Sequence, residues 1–139
     1  VPHVKKIEHQ AIQQALTELE RKQPLQALTG ALHGAAWCNE QGHIQLIRED
    51  VGRHNALDKL IGARAVHEMP NNQGFALISS RASYEMVLKA AKAQIGILVA
   101  VSAPTSMAVE LAEKTGVTLV GFARQGRHVT YTHPQHIRD

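Results

Sequence analysis

Cysteine is nearly absent: Cys38 stands alone in 139 residues, which excludes an internal disulfide framework and fits a reducing compartment. Aromatic residues make up only 4% of the chain, so the core must be assembled from Ala, Val, Leu and Ile. No apolar run approaches the roughly 20 residues that a membrane span needs, and no signal-peptide pattern opens the chain. A cytoplasmic location without a membrane partner is therefore expected. The basic residues form no dense stripe with interleaved aromatics, which argues against nucleic acid as a partner. A low-complexity linker is missing too, so a second domain is not expected. The chain also starts without methionine, at Val1-Pro2-His3, so further sequence upstream is expected.

What is present is ordinary for a globular domain: 44% hydrophobic and 19% charged residues, in a length sufficient for one core. The formal charge of +3, with nine histidines in reserve, suits a phosphate-bearing ligand. A single domain over residues 1–139 is expected, with an amino-terminal helix over 4–22 and a core from about residue 27 onward.

Val4, Ile7, Ala11, Ile12, Ala15, Leu16 and Leu19 fall on one helical face, and Gln23-Pro24 should stop that helix. Thr29 to Cys38 and His43 to Arg48 read as a hairpin across the turn Asn39-Glu40-Gln41-Gly42. A helix carrying Ala56, Leu57, Leu60 and Ile61 should end near Gly62. Thereafter buried strands at Phe75–Ile78, Ile97–Val101 and Thr118–Phe122 alternate with helices, the second of which should end at Gly116. Val129 to Thr132 can add an edge strand. The pattern predicts an α/β fold: a mixed, mostly parallel sheet with helices on both faces.

Polar residues collect where strands should end. Glu49-Asp50, Ser79-Ser80-Arg81, Ser102-Ala103-Pro104-Thr105 and Arg124-Gln125-Gly126-Arg127 follow four successive strands. In open α/β sheets the crevice beyond the carboxyl ends of the strands is where ligands bind. The antiparallel hairpin brings Thr29-Gly30 and His33 to the same rim. Three helices should begin there, near Val51, Ala82 and Ser106, each with free N–H groups and a positive dipole end. Arg53, Arg81, Arg124 and Arg127 are candidates to grip phosphate bidentately. Glu49 and Asp50 would repel phosphate, and a carboxylate accepting the guanine N1 and N2 hydrogens is one role open to them.

Structural roles compete for several of these residues. Ser80, Ser83 and Thr105 suit helix caps, as does Asp50. Lys59 reads as solvated, and Arg53 and Asp58 as surface partners. Cys38 reads as an inert, half-buried thiol, and His128, His133 and His136 as members of an exposed tail. His33 and His54 fall on the rim with structural and ligand-binding readings evenly matched. Metal chemistry fits poorly: His54 and Asp58 share a helix face with no third ligand, and the helix starts lack the thiolates of a zinc deaminase. No G-x-S-x-G elbow supports a serine hydrolase.

Several blocks resemble one family. Arg48-Glu49-Asp50-Val51-Gly52-Arg53-His54-Asn55-Ala56-Leu57-Asp58-Lys59 is similar to a signature of the formate dehydrogenase accessory proteins, FdhD. So are Ser79-Ser80-Arg81-Ala82-Ser83-Tyr84-Glu85-Met86, Val101-Ser102-Ala103-Pro104-Thr105, Leu119-Val120-Gly121-Phe122-Ala123-Arg124 and Val129-Thr130-Tyr131-Thr132-His133-Pro134. The resemblance implies a cytidine-deaminase-like fold without zinc and a homodimer. It also implies a sulfurtransferase role. Sulfur would come from a cysteine desulfurase as a persulfide and pass to the bis(molybdopterin guanine dinucleotide) molybdenum cofactor before insertion into formate dehydrogenase. Phe122, Ala123, Arg124, Gln125, Gly126 and Arg127 match the family's cofactor-binding segment. His33, Glu49, Asp50, Arg53, His54, Ser80, Arg81, Ser102 and Thr105 complete the expected binding rim. The family's Cys-x-x-Cys sulfur carrier has no counterpart here, and Ala31 stands where some members have a cysteine, so no catalytic residue is assigned. Two rivals stay open: a nucleotide-acting hydrolase or deaminase on the same fold, and a non-catalytic docking module for formate dehydrogenase.

Overall fold

Alternation of small apolar residues builds the sheet. In the computed structural model, which describes residues 4–22, 32–67, 73–124 and 126–138, successive strand residues turn to opposite faces. The elements are β1 (Ile7–Glu8), α1 (His9–Lys22), β2 (His33–Cys38), β3 (Ile44–Asp50), α2 (Arg53–Val66), β4 (Phe75–Ile78) and α3 (Tyr84–Lys92). They continue with β5 (Ile97–Ala100), α4 (Ser106–Thr115), β6 (Thr118–Arg124), β7 (Arg127–Thr130), a 3₁₀ turn (Pro134–His136) and β8 (Ile137–Arg138).

The main sheet has the order β3-β2-β4-β5-β6-β7. β4, β5 and β6 pair in parallel, β2 is antiparallel to both β3 and β4, and β7 is antiparallel to β6. Hence β3, β4, β5 and β6 all run one way, and the expected mixed, mostly parallel sheet is what forms. Ala35, Trp37, Ala76, Ile78, Leu98, Ala100 and Leu119 face α2, α3 and α4. Their neighbours Ala36, Cys38, Phe75, Leu77, Ile97, Val99 and Val120 face α1. Helices thus cover both faces, and burying each large side chain such as Leu57 or Leu60 stabilises by about 1.5–3 kcal/mol.

α1 is held on two flanks. Ala11, Gln14 and Glu18 lie toward the β2–β3 turn: Gly42 sits against the Ala11 backbone, and Glu18 receives the Ile44 N–H (3.2 Å) and lies 2.9 Å from His43 Nδ1. His9 and Gln13, one helical turn apart on the opposite flank, meet the β6–β7 hairpin.

The structure corrects several expectations. α1 starts at His9, because residues 7–8 pair with β8 as a short parallel ladder. α2 runs through Gly62 to Val66; packing of Leu57, Leu60, Ala63 and Arg64 outweighs the roughly 1 kcal/mol that an interior glycine costs. α2 and α3 begin at Arg53 and Tyr84, not Val51 and Ala82, and the edge strand spans Arg127–Thr130. Cys38 is fully buried rather than half-buried. The supposed tail histidines are docked: Thr118 Oγ1 donates to the His133 carbonyl (2.9 Å) and lies 2.7 Å from His136 Nδ1, while the rings of His128 and His9 are 4.4 Å apart. The expected helix stop at Gln23-Pro24, the hairpin opening at Thr29-Gly30, and Ala31 lie outside the described residues, as does Gln125.

Candidate functional site

The direction of the strands fixes one rim. β3, β4, β5 and β6 end there, and β2 and β7 begin there, since both run the opposite way. Backbone bonds then lace the rim together. His33 is the register partner of Asp50. The Gly34 N–H donates to Ser79 Oγ (2.8 Å), and the Ser79 N–H returns a bond to the Gly34 carbonyl (3.0 Å). The Thr105 N–H reaches the Ala82 carbonyl (3.0 Å), and the Phe122 N–H reaches that of Ser102 (3.1 Å). Pro104 packs onto the bare Cα of Gly121 so closely that a Cβ there would lie 2.7 Å from Pro104 Cδ.

Helix starts at this rim are not equivalent. Ser83 accepts the Met86 N–H and Thr105 accepts the Ala108 N–H, so α3 and α4 carry side-chain caps, as the cap readings of both residues anticipated. α2 begins after Gly52 without one, leaving the first-turn N–H groups of that helix for other partners. Asp50 is not its N-cap. Its Oδ1 accepts the Gly52 N–H (2.9 Å) and its Oδ2 lies 2.8 Å from Lys59 Nζ. Lys59, which reads as solvated in sequence, also donates to the Glu49 carbonyl (3.1 Å). The hydrogen bond from Lys59, followed by that from Gly52, holds the Asp50 carboxyl down at about 2. Asp50 is thereby engaged in ordering the β3–α2 connection, while the Glu49 side chain is exposed.

Positive charge is left over. Among the described residues no ion pair involves Arg53, Arg81, Arg124 or Arg127. Asp58, the surface partner suggested for Arg53, pairs instead with Lys89 (2.8 Å). The Nε of Arg53 is buried and has no hydrogen-bond partner, a state that costs on the order of 1–3 kcal/mol or more for a charged group and is rare in folded proteins. His33 and His54 are half-buried at the same rim. Ser80 turns inward: its Oγ donates to the Arg81 carbonyl (3.2 Å) beside the Met86 sulfur.

Beyond the rim, β6 is irregular. The register shifts between Gly121 and Arg124, and Phe122 adopts φ +51°, a left-handed conformation that a bulky side chain disfavours. Phe122 is partly exposed there, Ala123 is buried toward α1, and Arg124, Gly126 and Arg127 project at the hairpin tip. Sequence reasoning missed two contributors. Lys59 was legible only as a charged helix position. Gln13 bonds the hairpin from α1, 111 residues away in the chain, and nothing local to it announces that role.

Among the described residues no group of three His, Cys, Asp or Glu side chains could hold a metal ion, and no helix is long and apolar enough to cross a membrane. A sequence model of the FdhD/NarQ family matches residues 1–138. The chain is 56% identical over 131 residues to the sulfur carrier protein FdhD of Xanthomonas euvesicatoria, covering 94% of this chain and 47% of that protein. It is 56% identical over 127 residues to the sulfur carrier protein FdhD of Cupriavidus necator, covering 91% and 44%. The chain thus spans about half the length of the curated relatives it matches. A crystal structure from Desulfotalea psychrophila, described as a formate dehydrogenase accessory protein, superposes with a TM-score of 0.90 at 32% identity, over 99% of this chain and 62% of that one.

Proposed function

This chain belongs to the FdhD/NarQ family, and from that premise we propose that it supplies the nucleotide-holding body of a sulfur carrier serving formate dehydrogenase. The cargo in this reading is the guanine-dinucleotide molybdenum cofactor, gripped by its phosphates at the sheet rim. The observation that carries the proposal is Arg53. Its buried, unpartnered Nε stands at the rim helix start that lacks a side-chain cap, and Arg81, Arg124 and Arg127 follow other strand ends of the same sheet, none with an acidic partner among the described residues. An uncapped helix start and guanidinium groups are complementary to phosphate. With Asp50 committed to Lys59 and Gly52, Glu49 is the carboxylate available to read guanine.

Cys38 supports a division of labour. Burial pushes its thiol pKa up, with the Glu18 charge adding to the effect, so the nucleophilic thiolate is suppressed. A persulfide delivered by a cysteine desulfurase would therefore be carried elsewhere than on this residue, and this chain's part is to hold the acceptor.

The test is a thermal-shift panel with GDP, GMP, ADP and zinc on the chain and on Arg53→Ala and Arg127→Ala. A ligand that binds only the folded state, at 100 times its Kd, stabilises by about 2.7 kcal/mol. The expected result is a GDP-selective shift that both substitutions reduce. A shift with zinc alone would favour a deaminase-like enzyme, and no nucleotide shift alongside binding to formate dehydrogenase would favour a docking module; either overturns the proposal.

A further inference from the structure

The β6–β7 hairpin, which carries two of the rim's arginines, is not held by the rim alone. Gln13 of α1 engages that hairpin with both ends of its amide: Nε2 donates to the Arg124 carbonyl (3.0 Å) and Oε1 accepts the Gly126 N–H (2.7 Å). One planar group thus bridges the backbone of Arg124 and that of Gly126, the residue before Arg127. Gly126 has φ +88° and open space around its Cα, so its own conformation imposes little order. Arg124 and Arg127 are register partners; tying the Arg124 carbonyl and the Gly126 N–H to one amide fixes the spacing of the arginines' side-chain roots.

The anchor itself is packed on the sheet. α1 is seated by Ile12, Ala15, Leu16 and Leu19, and is held on its other flank by the β2–β3 turn. One helical turn before Gln13, His9 Nδ1 lies 3.4 Å from His128 Nε2 and gives α1 a second tie to the hairpin.

We propose that Gln13 is a positioning residue for the nucleotide site, presetting the hairpin so that Arg124 and Arg127 meet the ligand's phosphates without a further ordering cost. The proposal rests on the nucleotide-binding reading above. Its physical basis is preorganisation: ordering a loop or side chain at the moment of binding subtracts directly from affinity.

The experiment is calorimetric titration of GDP into the chain and into Gln13→Met, Arg127→Ala and the double variant, with the thermal midpoint of each measured without nucleotide. Methionine keeps the length of the side chain and removes both bonds. Gln13→Met is expected to weaken GDP binding about fivefold, the scale of one ordered side chain or turn. In the Arg127→Ala background the same change should cost clearly less, because its effect runs through the arginine. An unchanged Kd in a Gln13→Met protein, with or without a lowered midpoint, overturns the proposal while leaving the nucleotide reading intact. Equal losses in both backgrounds overturn it as well, since Gln13 would then act independently of Arg127. Absence of GDP binding by the unsubstituted chain overturns both.

Discussion

The guanidinium carbon of Arg64 lies 4.1 Å from the ring centre of Trp37, joining α2 to β2 inside the core. Arg64 is only 4% exposed, so the pair is shielded from water. A desolvated cation–π contact is worth about 2 kcal/mol, and the aliphatic stem of Arg64 adds packing. Arg64→Ala should lower the unfolding free energy by at least about 2 kcal/mol and shift the emission of Trp37, the sole tryptophan, to longer wavelength. Urea unfolding followed by that emission checks both; an unchanged midpoint would refute the contact's importance.

Thr132 stitches the carboxy-terminal segment to the sheet. Its buried Oγ1 donates to the Val117 carbonyl (2.7 Å) and accepts the Leu119 N–H (2.9 Å). Thr132→Val preserves shape but strands both backbone groups, and should cost about 1–3 kcal/mol in a denaturant titration.

Two glycines with the same φ of +88° should respond differently to alanine. At Gly42 an added Cβ would run into the Ala11 backbone, whereas at Gly126 it meets nothing within 4 Å. Gly126→Ala should cost about 1–2 kcal/mol, the left-handed penalty alone. Gly42→Ala should cost several times more, because α1 must also move. Thermal midpoints of the two variants decide this, and equal losses would contradict the packing described.

Asp50 predicts a signed pH dependence. Its carboxyl pKa falls from the ordinary 3.8 to about 2 in the folded protein, first through Lys59 and then through the Gly52 N–H. A depressed folded pKa stabilises above the unfolded value and loses that contribution as pH falls. The wild type should therefore be more stable than Asp50→Asn at neutral pH, with the difference fading between about pH 4 and pH 2. Thermal midpoints across that range test it; a constant difference would show that the ionised carboxylate is not what matters.

Cys38 should be inert in the native state. It is fully buried and its thiol pKa is raised by desolvation. Alkylation by iodoacetamide at pH 8 should occur only after denaturant is added, as followed by mass spectrometry. Rapid native labelling would contradict the packing of β2 against α1.

Residue order alone was enough to read the alternation of strands and helices and the rim where their polar ends meet. Residues such as Phe75–Ile78 and Ile97–Ala100 are continuous apolar runs of strand length, the pattern of a sheet covered on both faces, and polar ends after parallel strands share an edge. The family blocks at Arg48–Lys59 and Leu119–Arg124 were readable as well, because they depend on residue order alone. Partnership was decided by the tertiary structure. Asp50 reads as a helix cap in the sequence, and only the placement of Lys59 in α2, with its Nζ 2.8 Å from Asp50 Oδ2, shows it in an ion pair instead. Gly62 signals a helix stop locally, yet the helix continues because the sheet rewards Ala63 and Arg64 with burial. Gln13 and His9 show only helical spacing in sequence. Their bonds to residues more than a hundred positions away arise because β6 breaks register after Gly121 and turns its hairpin toward α1. Local order encodes which elements form, but which side chains meet depends on how far each element is displaced when the cores on both faces close.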